Sequence, residues 1–170
     1  MPAAWPPVDD DVRMRFWTHY WRTDTARSAE KDVAAGAPRW CDQVSGNQFV
    51  ARGVAPGDTI YVITLARPGL RVLGRLVVGE ILDRQTARQR LGHEPWDASE
   101  HIFAAPDSGS RLRFDLVVPL EEVHRLEFVT SDGLHGPVLN QDGTPNQQTF
   151  RGVREIAPST ATVLDTHVDV

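Results

Sequence analysis

The stretch Gly53–Ile81, GVAPGDTIYVITLARPGLRVLGRLVVGEI, constrains this chain more than any other. Two runs rich in Val, Ile and Leu, Thr59–Leu65 and Leu70–Ile81, flank the connector Ala66-Arg67-Pro68-Gly69. Strand-forming runs joined by a few residues that include Pro and Gly predict a β-hairpin. Pro56-Gly57-Asp58 just before it is turn chemistry, with Pro fixing φ and Gly free to take positive values. The first run is apolar at nearly every position. The second is interrupted only by Arg71, Gly74, Arg75, Gly79 and Glu80. Such runs belong to strands buried on much of both faces, so the hairpin is expected at the centre of a closed or covered sheet.

Upstream, Arg13–Trp21 is dense in aromatics and reads as a strand. Alternation puts Phe16, Thr18 and Tyr20 on one face and Trp17, His19 and Trp21 on the other. Thr25–Ala35 is a short helix candidate. Arg39–Phe49, mostly polar with Trp40 near its start, reads as a loop, with a helical turn near Asn47–Arg52. After the hairpin, a helix is expected from Asp83 to about Leu91, then loops through Ser110. Arg111–Val118 alternates as a half-buried strand. Pro119 opens a short helix, Gly133–Gln147 is a long polar loop, Thr149–Ile156 a last strand, and Pro158 opens a final helix. With no helical crossover between the hairpin strands, about five strands and few helices fit a small mixed or antiparallel barrel.

At 170 residues the chain suits one domain with a sizeable core. No run approaches the apolar length that spans a bilayer. MPAAWPPVDDD lacks the basic and apolar regions of a signal peptide. The single cysteine, Cys41, allows no internal disulfide and no multi-cysteine zinc site. A cytoplasmic protein is therefore expected. Residues 1–12 read as a flexible leader, 13–164 as the domain and 165–170 as an acidic tail. The net charge is −5, but Asp9, Asp10, Asp11, Asp165 and Asp169 lie in the two ends; without those five, 18 acids face 18 bases. Lys31 is the only lysine. Arginine's fork suits phosphates and base edges, although a bias in gene base composition explains the arginine excess as well.

Signals for catalysis are sparse. Ser45, His19 and Asp42 make a triad on paper, but no G-x-S-x-G elbow surrounds Ser45. Cys41 reads more simply as an idle thiol than as a nucleophile. The histidines at 19, 93, 101, 124, 135 and 167 have no ligand spacing, so neither a metal nor another cofactor is expected. Gly133–Gly143 lacks the lysine of a phosphate loop. Aromatics speak louder. Trp17 and Trp21 on one strand face and Trp40 in the next loop make a cage for a planar base if they converge, with Asp42, Ser45 and Asn47 reading its edge. Composition alone favours the plainer role for these tryptophans, as core or barrel-end plugs.

The order of these pieces resembles the EVE domain of the PUA-like superfamily, which also contains YTH and ASCH domains. The matching pieces are Trp17 in the first strand, Trp40 in the loop, Ser45-Gly46-Asn47-Gln48, Ala51-Arg52, Gly57-Asp58 and Gly74 in VLGRLVVGEI. Downstream, Arg111–Val118 leads into Pro119-Leu120-Glu121-Glu122, and Gly136-Pro137-Val138-Leu139 precedes a strand ending at Ile156-Ala157-Pro158. The resemblance spans about Arg13 to Leu164. The chain departs from the pattern in lacking an arginine near Ser45 and an asparagine after Arg52.

The resemblance implies an α+β fold: a PUA-like mixed β-barrel of about five to six strands with short flanking helices and a pocket for a flipped, often modified, nucleobase. Bacterial relatives resemble reading modules of modification-dependent restriction systems. The expected site has Trp40 stacking with Trp17 or Trp21, Ser45 and Asn47 on the base edge, His19 and Asp42 as further contacts, and Arg22, Arg39 and Arg52 on flanking phosphates. The partner is nucleic acid, DNA or RNA, carrying a modified base. The alternative is an ASCH-like hydrolase of modified nucleosides or nucleotides, using Ser45, Cys41 or His19. The family's catalytic lysine has its nearest counterpart in Lys31, which follows Glu30 in a polar stretch without the rest of the pattern.

Overall fold

The computed structural model describes residues 14–66 and 69–168. The expected leader, Arg67 and Pro68 of the expected hairpin connector, and the last two residues lie outside them. The described chain is a mixed α+β fold. Its strands are β1 (Phe16–Tyr20), β2 (Gln43–Gly46), β3 (Thr59–Ala66), β4 (Gly69–Asp83), β5 (Glu100–Ala104), β6 (Phe128–Thr130), β7 (Gly133–His135) and β8 (Val153–Ile156). The helices are α1 (Thr23–Ala34), α2 (Phe49–Arg52), α3 (Arg84–Leu91), α4 (Leu120–Val123), α5 (Gln147–Phe150) and α6 (Pro158–Asp165).

The strands form one eight-stranded sheet in the order β2-β5-β4-β3-β1-β8-β6-β7. That corrects the expected barrel of five to six strands: the count is higher, and among the described residues the outer strands β2 and β7 do not pair with each other. The hairpin β3–β4 is central, as its apolar runs require. β1 runs parallel to β3 and antiparallel to β8. β3 is buried at each position from Thr59 to Thr64. Ile60 and Val62 enter one core with Trp17, Val44, Phe49, Leu76 and Ile102, while Tyr61 and Ile63 enter a second with Phe128, Phe150, Ile156 and Leu164. A sheet with a core on each face accounts for hydrophobic runs without alternation. β1 shows its alternation as expected, with Trp17 in the first core and Trp21, just beyond the strand, against it, and Phe16 and Tyr20 against the second.

β4 is long enough to serve two partners. Its first part pairs with β3 and its last residues with β5. A register irregularity between Val78 and Glu80 marks the change, and a Cβ on Gly79 would lie 2.8 Å from the Ala105 nitrogen. The sheet therefore curls. It carries β2 round until Val44 shares a core with Trp17 of β1, four places away in strand order.

Several local expectations are corrected. Arg39–Phe49 is not all loop but contains β2; β5 and β7 lie in segments read as irregular, and β6 lies in a stretch given no element. The polar residues of β2, β5 and β7 hid them, and β2 and β7 are the outer strands of the sheet, where few apolar positions are needed. Arg111–Val118 is no regular strand; it follows the edge of β4 through single contacts such as Arg113 N to Leu73 O at 2.9 Å and Val118 N to Leu70 O at 2.8 Å. Asp165, expected to head an acidic tail, closes α6 and accepts hydrogen bonds from Tyr61 Oη (2.8 Å) and Arg75 Nη1 (2.6 Å). No described helix is long and apolar enough to cross a membrane.

Candidate functional site

Where β1 ends, its chain turns directly into α1, and the curled sheet brings β2 alongside. The segment after α3 closes the remaining side, released from its helix by Gly92 at φ 76°. Between these four pieces lies a cavity of about 650 Å³. His19, Tyr20 and Trp21 line it from β1 and just beyond. Arg22, Thr25, Ala29 and Asp32 line it from one face of α1, at helical spacing. Asp42 to Asn47, Leu91 and His93 to Ala98 complete the wall, the last group including Trp96.

The polar groups are tied down by long-range partners. Ser45 and His101 face each other across β2 and β5, with Ser45 Oγ 2.8 Å from His101 Nδ1. His101 is fully buried, and its Nε2 lies 3.0 Å from the Ala98 carbonyl oxygen. A carbonyl has no hydrogen to give, so Nε2 carries one, and in the neutral ring Nδ1 accepts from the Ser45 hydroxyl. Asn47 Oδ1 accepts from Ser99 N (2.8 Å) and Ser99 Oγ (3.1 Å), which leaves its amide NH2 as the group to offer. Glu100 Oε1 accepts from Phe49 N at 2.6 Å and fixes the start of α2.

His19 is 8% exposed and packs against Phe49, with ring centroids 5.0 Å apart. Burial pushes its imidazole down to about 4, against a smaller opposing pull from the Ser45 backbone. It is uncharged at neutral pH, and its Nδ1 is buried without a partner among the described residues. Burial, aided by the neighbouring Asp42 charge, pushes the Cys41 thiol up to about 12. A thiol so rarely ionised is a poor nucleophile. No three described His, Cys, Asp or Glu side chains gather where they would hold a metal ion.

Of the residues singled out in the sequence, His19, Trp21, Arg22, Asp42, Ser45 and Asn47 meet at this one cavity. Trp17 does not. It sits mid-strand, 2% exposed, with its Nε1 donating to Asp58 Oδ2 at 2.9 Å. Asp58 also accepts from Arg15 N and Ala55 N, so Trp17 belongs to a core hydrogen-bond hub. Trp40 stands half exposed at a separate cleft with Ala104, Pro106 and Asp107, the Arg111 guanidinium 5.6 Å from its ring centroid. Only Asp42 is common to both hollows. Arg39 is exposed beside Trp40, and Arg52 lies near Arg154, whose pKa is lowered by burial and by the Arg52 charge. Lys31 is exposed on α1 and lines none of these hollows. Sequence reasoning missed Trp96 and His101. A tryptophan after Pro95 in a polar segment, and the short β-rich run His101-Ile102-Phe103, were the available signals.

No protein-family model matches the sequence, and no curated protein matches it. Among solved structures, the chain is similar to an ASCH protein from Zymomonas mobilis, with a TM-score of 0.44 and 13% identity, over 91% of this chain and 96% of that one. That structure is an ASCH protein and not an EVE domain.

Proposed function

We propose that this chain is a non-catalytic nucleic-acid-binding module that takes an extruded, modified base into the cavity between β1, α1, β2 and the segment after α3. The observation that carries the reading is the meeting of Trp21 and Trp96 with Ser45, Asn47 and Asp42 at one hollow of about 650 Å³. Indole surface supplies stacking to any base, and a few fixed polar groups read its edge. The resemblance of the motif order to EVE domains supports the same reading. The stacking pair proposed is Trp21 with Trp96, in place of Trp40 with Trp17 or Trp21, because Trp40 and Trp17 lie elsewhere. Arg22, which lines the cavity, is the arginine proposed to meet a phosphate.

A second reading, hydrolysis of modified nucleosides, rests on the Ser45–His101 contact of 2.8 Å. The imidazole is oriented by the Ala98 carbonyl, a neutral group. It stabilises a developing imidazolium less than the carboxylate of a Ser-His-Asp triad, and so the binding reading is preferred.

Tryptophan fluorescence titration tests it, using short DNA and RNA oligonucleotides with unmodified, methylated, hydroxymethylated and glucosylated bases. Quenching selective for a modified member is expected. Trp96→Ala should weaken that binding at least about tenfold, the loss of one stacking partner, while Trp40→Ala should leave it near the parent value. Equal binding by the parent and Trp96→Ala would overturn the stacking assignment. Turnover of a nucleoside, abolished in Ser45→Ala, would decide for the hydrolase.

A further inference from the structure

The charge lining the cavity is mostly negative. Asp32 from α1 and Asp42 from the start of β2 both line it, both exposed, and neither joins an ion pair among the described residues. Glu94 and Asp97 line it too, held by Arg84 at 2.7 and 2.8 Å. Against these stands Arg22 alone among the arginines of the wall, already 3.5 Å from Asp24. His19 adds no positive charge, since burial keeps it neutral.

The hydrogen-bond directions point the same way. With the His101 ring neutral, the Ser45 hydroxyl donates its hydrogen bond to Nδ1, which leaves the Ser45 oxygen only lone pairs to offer. Asp32 and Asp42 accept only. Asn47 is the one side chain of this edge-reading group with donors to spare, its oxygen being taken by Ser99. A neutral base closing this hollow would strip water from two carboxylates and return little for it. A cation carrying N–H groups would compensate both, and its positive ring would lie against indole faces, the arrangement in which cation–π attraction is strongest.

We infer that the base taken by this cavity is positively charged: a purine or pyrimidine alkylated on a ring nitrogen and bearing an amino group, held between Trp21 and Trp96 against Asp32 and Asp42. The inference rests on the reading of the cavity as a base site and names its ligand class. Phosphates of the same strand, being anions, stay outside the hollow.

Isomer pairs that differ in charge and little else test it: 1-methyladenosine, a cation at neutral pH, against neutral N6-methyladenosine, and 3-methylcytidine against neutral 5-methylcytidine. Each is titrated as the free nucleoside and within one short oligonucleotide, with tryptophan fluorescence as the readout. The cationic member of each pair should bind at least about tenfold more tightly. Asp42→Asn should erase most of that preference, bringing the affinities of the cationic and neutral members of each pair together, while the near-UV circular dichroism stays that of the parent. Equal or tighter binding of the neutral isomers would overturn the charge inference and leave the base-binding function standing. No response from any nucleoside or oligonucleotide would remove both.

Discussion

At the scale of single residues, His19 shows how position overrides a side chain's ordinary chemistry. On the sequence it reads as a base contact or as one of the three members of a paper triad. In the fold it is buried against Phe49, uncharged, with one nitrogen unpartnered. The folded chain takes up this proton only near pH 4, whereas an unfolded histidine does so near 6.5. As pH falls between those values the unfolded state gains the proton first, so the stability from a neutral His19 is complete above the upper value and lost on the way to the lower. The loss should be on the order of 3 kcal/mol. Urea unfolding across that range should show the slope, and His19→Gln should remove it; a parent profile flat over the interval would sink the assignment. The lowered carboxyls of Asp83, Asp115 and Asp142 act further down, below 3.8.

At the scale of elements, irregular segments pressed on regular ones shape both hollows. The turn before Arg111 passes over Cys41, whose N–H donates to the Ser110 carbonyl at 2.7 Å. A Cβ on Gly109 would run into the Cys41 carbonyl. Gly109→Ala is therefore expected to destabilise the fold by about 2 kcal/mol, the range for overpacking. Cys41→Ala should not rescue it, because the obstructing atoms are backbone. Denaturant midpoints of the two single variants and the double variant decide the point, and a rescued double variant would contradict it. The same scale shows what was legible in the sequence. The hairpin, β1 with its two faces, α3 and the Pro-initiated α6 were visible because each carries its own period or punctuation. β2, β5 and β7 were not. They are short, partly polar and stabilised by neighbours distant in sequence, so no local pattern announces them. Arg111–Val118 misled for the opposite reason, since its good alternation meets β4 only intermittently.

At the scale of the whole molecule, the arginines singled out for phosphates are dispersed. Arg22 lies at the cavity, Arg39 beside Trp40, and Arg52 near Arg154. With a net charge of −5, few phosphates are neutralised at once. The dependence of log affinity on log salt should therefore be shallow, with a slope no steeper than about −2, the value for two phosphates. Affinity measured over a salt series checks this. A steep slope would place the binding face on an arginine cluster away from the cavity.

By itself the sequence determined that this chain builds a central hairpin buried on both faces, an aromatic strand feeding two cores, and a polar segment carrying Asp42, Ser45 and Asn47. Those properties are written in nearest-neighbour periodicity and turn chemistry, which act over a few residues. Only the tertiary structure decided which tryptophans share a hollow, that Trp17 is core and Trp96 is wall, and which way Ser45 and Asn47 point their hydrogens. These last are set by partners 56 and 52 residues away, His101 and Ser99. Their meeting depends on how far the sheet curls, and that curl is a property of the packed whole that no short stretch of chain encodes.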